Sequence, residues 1–75
     1  MKFDDFRTVL RENGFAIVAM NEYTIKNEVH TYIVVKLGHA NIAFKGEGLY
    51  PSLIFEELAS KIKMVDAKMV KSTRV

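Results

Sequence analysis

Seventy-five residues, 49% hydrophobic and 27% charged with a net charge of +2, describe one small globular domain and exclude disorder throughout. The chain has no cysteine, which excludes disulfides and thiolate metal sites. No stretch approaches the roughly 20 apolar residues of a membrane span, and Met1–Asp5 lacks the apolar run of a signal peptide, so the expectation is a cytoplasmic protein with no membrane partner.

Phe3, Phe6, Val9 and Leu10 recur at helical spacing, Asp4 and Asp5 suit a helix start, and Asn13-Gly14 suits a helix stop. The first helix is expected over residues 2–13. Phe15 to Lys26 reads as a strand, with Phe15, Ile17, Ala19, Tyr23 and Ile25 on one parity and a bulge or irregular turn at Asn21-Glu22. Lys26-Asn27-Glu28 is the expected turn. Val29 to Leu37 is the clearest strand, with Val29, Thr31, Ile33, Val35 and Leu37 on one face and His30, Tyr32, Val34 and Lys36 on the other. Gly38–Asn41 turns the chain into a short third strand, Ile42–Lys45, which Gly46-Glu47-Gly48 is expected to break.

Pro51 fits a first helical turn, and Ile54, Leu58, Ile62, Val65 and Met69 form an apolar stripe at steps of four, four, three and four. The second helix is expected over 51–69. Residues 1–70 then form one domain, and 71–75 are expected to fray. The order α-β-β-β-α predicts an α+β fold: a three-stranded antiparallel sheet with two helices packed on one face and the other face open.

That order resembles the double-stranded RNA-binding domain. Tyr32-Ile33-Val34-Val35-Lys36-Leu37-Gly38 looks like that family's second strand and glycine turn, and Gly46-Glu47-Gly48 like the glycine pair before its second helix. Leu58-Ala59 sits where the family packs small apolar residues on its sheet. The resemblance implies duplex-RNA contacts from Arg7 and Arg11 on the first helix, and from Asn27 and His30 beside the first inter-strand turn. It departs at the second helix, where the family's phosphate-binding lysines are replaced by Pro51, Ser52 and Phe55, with Glu56 and Glu57 close by. Losing those cations removes most of the electrostatic affinity for RNA.

Charge supplies a second route to nucleic acid. Residues 1–48 hold six basic and six acidic side chains, so the excess lies in Lys61, Lys63, Lys68, Lys71 and Arg74. No aromatic residue is interleaved with them, which makes a solvated helix face the plainer interpretation.

Catalytic machinery is not legible. His30 and His39 lie nine apart, without the close spacing of metal ligands. The glycines at 46 and 48 lack the lysine and hydroxyl of a phosphate loop. Asp4-Asp5 and Glu56-Glu57 are adjacent pairs, and neighbouring helical residues point about 100° apart. The expectation is a non-enzymatic chain with no catalytic residue, metal, cofactor or small-molecule ligand. If the odd residues of the second strand face the helices, Val18, Met20, Tyr32 and Val34 lie on the open face, where polar residues are the rule. Those four are the expected protein-interaction residues. The functional expectation is a protein-interaction module, either a homodimer or an adaptor or inhibitor of a larger protein. The alternative is nucleic-acid binding through Arg7, Arg11, His30, Lys61, Lys63 and Lys68.

Overall fold

The computed structural model describes residues 1–73, with side chains as far as residue 65. Helix α1 spans Phe3–Glu12, with Lys2 extended at its N-cap and Asp4 and Asp5 in its first turn. It ends as the sequence suggests: the Asn13 side-chain amide donates to the Val9 carbonyl at 2.8 Å, and Gly14 takes a positive φ of 75°.

Three strands follow: β1 (Phe15–Ile25), β2 (Glu28–Leu37) and β3 (Ala43–Gly48), antiparallel and in spatial order β1-β2-β3. The β1–β2 turn places Lys26 at φ 49° and Asn27 at φ 65°. Two consecutive positive φ values are the signature of the tight turn whose twist matches a hairpin.

The register of β1 differs from the expected parity. Ile17 pairs with Val35 and Ala19 with Val34, so Val18 is an extra residue, and the irregularity lies there rather than at Asn21-Glu22. A single inserted residue transfers every later side chain to the opposite face. Ala19, Tyr23 and Ile25 therefore leave the helix side, and Met20, paired with the buried Ile33, joins it.

The third strand is also longer than expected. Gly46 and Gly48 do not break the sheet; they pair with Ile33 and Thr31 as its final rungs. Gly46 is required by close packing: a Cβ there would stand 2.6 Å from Ile54 Cγ2. Removing a side chain from the strand lets the second helix lie directly on it.

Helix α2 spans Pro51–Thr73 and outlasts the expected end at residue 69; Arg74 and Val75 lie outside the described residues. Both helices cover one sheet face, as expected. Their stripes meet the sheet in a single core of Phe6, Leu10, Phe15, Ile33, Val35, Leu37, Ile54, Phe55, Leu58 and Ile62. Phe6 stacks on Phe55 with ring centroids 4.8 Å apart. The two helices start side by side: the Met1 amino group donates to Ser52 Oγ at 2.8 Å, and Phe3 lies 5.6 Å from Phe55. At the opposite end Gly38 N–H donates to the Gly14 carbonyl at 3.1 Å.

Candidate interaction surface

With both helices on one side, the far side of the sheet is open, and the strand registers fix what it carries. His30 pairs with Tyr23, and Tyr32 lies between Asn21 and Glu47. Val34 lies between Ala19 and Lys45, and Lys36 between Ala16 and Ala43. Ala19, Tyr23, His30, Tyr32 and Val34 are half-buried by one another and form a continuous aromatic and apolar patch. Lys36, Lys45, Glu28 and Glu47 are exposed around it.

One end of this patch is organised by specific contacts. The Tyr23 and His30 rings stack, 5.2 Å apart and 10° from parallel. The Tyr23 hydroxyl donates to the Glu47 carboxylate across β2. That hydrogen bond favours the neutral phenol, so the Tyr23 pKa is raised above its ordinary value of 10.0, with desolvation and the Glu47 charge acting in the same direction.

Of the four residues expected on the open face, Tyr32 and Val34 are there. Val18 occupies the bulge and is 57% exposed. Met20 is a correction, because the bulge turns it to the helix side. There it is 46% exposed and lines, with Asn21, Glu22, Thr31 and Pro51, a hollow of about 350 Å3. Tyr23 was missed because its parity is correct only once the bulge is placed, and nothing in Ala16–Met20 marks that residue.

Both free edges of the sheet carry features that oppose strand addition. β1 has the Val18 bulge and the charged Glu22, and β3 is only six residues long and carries Lys45. Such edges disfavour growth of the sheet by further strands and leave faces as the natural contact surfaces.

The residues expected to touch nucleic acid do not form one surface. Arg7 and Arg11 are exposed on α1, where both line an open groove of about 490 Å3 beside Phe15 and Ile17 of β1. The Arg7 guanidinium also sits 5.9 Å over the Phe3 ring. His30 lies on the opposite side of the sheet from both arginines. Lys61 pairs with Glu57 at 3.3 Å, Lys63 is exposed, and the Lys68 side chain lies outside the described residues. At the start of α2 the only cation in ion-pair contact is the Met1 amino group, 3.7 Å from Glu56, among the described residues.

Among the described residues no group of three His, Asp or Glu side chains is placed to hold a metal ion, and no helix is long and apolar enough to cross a membrane. No family model, curated protein or solved structure matches the chain.

Proposed function

We propose that the chain is a non-enzymatic protein-interaction module that docks a protein partner on the open face of its sheet. The observation supporting this reading is the patch of Ala19, Tyr23, His30, Tyr32 and Val34 on a face that neither helix covers. An open antiparallel face alternates apolar-in with polar-out, so apolar and aromatic residues gathered on the outside need a reason beyond folding. Tyrosines offer large contact area at little entropic cost and are enriched at the centres of interfaces. The charged residues around them supply a polar rim that sets orientation.

The test is a photo-reactive residue at Val34, compared in cells with the same residue at Glu12 on α1. The reading expects a discrete protein adduct at position 34 that Tyr32→Glu abolishes and that position 12 never yields. No adduct, or equal adducts at both positions, overturns it. Nucleic-acid binding is supported less well, because His30 and the two α1 arginines face opposite ways and acidic residues flank the start of α2.

A further inference from the structure

The outer side of α2 is patterned independently of the sheet face. Leu53 and Met64 are 60% and 61% exposed although they lie on a helix whose other side fills the core. They are eleven residues apart, about three helical turns or roughly 16 Å, and within about 20° of one line along the helix. Between them on that line is the exposed, small Ser60. Glu56 and Lys63 lie on one flank, two turns apart; Glu57 and Lys61 lie on the other, joined to each other at 3.3 Å. The stripe is thus apolar at both ends and small in the middle, with acidic flanks toward its start and basic flanks toward its end.

We propose that this stripe is the contact between two copies of the chain, with the two α2 helices antiparallel about a two-fold axis at the level of Ala59, beside the exposed Ser60. In an antiparallel two-fold pair each flank meets the same flank of the other copy, reversed. Leu53 then packs on Met64 of the second copy, Glu56 faces its Lys63, and Glu57 faces its Lys61. The midpoints of these three pairs fall within about half a residue of Ala59, so one axis serves all of them. A parallel two-fold pairing brings opposite flanks together, setting Glu56 against Glu57 and Lys63 against Lys61 of the other copy, and is opposed by charge. Exposed ion pairs contribute little affinity, so their role is to fix direction and register while Leu53 and Met64 supply the attraction. One helix pair is smaller than the roughly 800 Å2 per partner of a stable interface, which sets the expected dissociation constant in about the micromolar range. The two α2 surfaces are separate from the open sheet faces, so a dimer still presents two of those faces to other proteins.

The absence of cysteine makes the test direct. Leu53→Cys and Met64→Cys chains are prepared separately, then oxidised alone and mixed. The proposal expects a covalent dimer in the mixture and little in either sample alone, since like positions sit roughly 16 Å apart across the axis. It also expects Lys63→Glu to weaken association about tenfold and Glu56→Lys with Lys63→Glu to restore it. A mixture that links no better than the single variants, or charge reversal that fails to restore association, overturns the proposal. The adduct at position 34 is read separately: cross-linked α2 helices without that adduct leave the dimer standing and remove the sheet-face reading, and the reverse result removes the dimer alone.

Discussion

Gly46 and Ile54 meet so closely that a methyl group on the glycine would stand 2.6 Å from Ile54 Cγ2 and 3.3 Å from two carbons of Leu58. Cγ2 is bonded directly to Cβ, so it moves away only if the buried Ile54 side chain changes its χ1 rotamer or the helix shifts. Gly46→Ala is therefore expected to cost about 1–3 kcal/mol, the usual range for overpacking. Ile54→Leu removes the branching methyl, so the alanine should cost less in that background. Urea unfolding of the four proteins of this cycle measures the coupling; additive costs would show that the contact is not the cause.

Neighbouring residues of β2 should respond unequally to truncation. Val35 is fully buried against the helices, whereas Val34 faces away from them. Val35→Ala is expected to lose about 2 kcal/mol, and Val34→Ala under about 1 kcal/mol. Thermal unfolding distinguishes them, and equal losses would contradict the assigned faces.

The hairpin turn holds two residues at positive φ, neither of them glycine. Replacing Lys26-Asn27 with Asn-Gly is expected to stabilise the chain by up to about 1 kcal/mol, and Asn27→Val to cost about 1–2 kcal/mol. Denaturation midpoints check both directions.

Tyr23 gives a pH dependence with a defined sign. Its folded-state pKa is raised above 10.0, first by the hydrogen bond to Glu47, so the neutral phenol is favoured by folding. The associated stability is fully present below about pH 10 and is lost as pH rises through the higher folded-state value. Ultraviolet titration should show one tyrosine ionising late. Glu47→Gln should bring that step back toward the ordinary range, and an unchanged titration would mean that the hydrogen bond does not form in solution.

The sequence carried the fold class, the element order and most of the core, because β2 alternates cleanly and α2 has a strong stripe. Two things were hidden for one physical reason each. An inserted residue at Val18 leaves no compositional trace, yet it moves Met20 to the helix side and Tyr23 to the open face. Glycines 46 and 48 look like breakers in isolation; only the approach of Ile54 explains a glycine inside a paired strand. The outer stripe of α2 was visible as letters, but which side of the helix is free became legible only when the core was placed.

The central claim about assembly is that two copies of this chain associate through α2 without nucleic acid, and light scattering over a concentration series, with and without a short RNA duplex, tests it most directly. The weight-average mass should rise from 8.6 kDa toward twice that value with concentration, persist at high salt and ignore the RNA. A mass fixed at that of one chain across the series, or one that increases only with RNA at low salt, would contradict it.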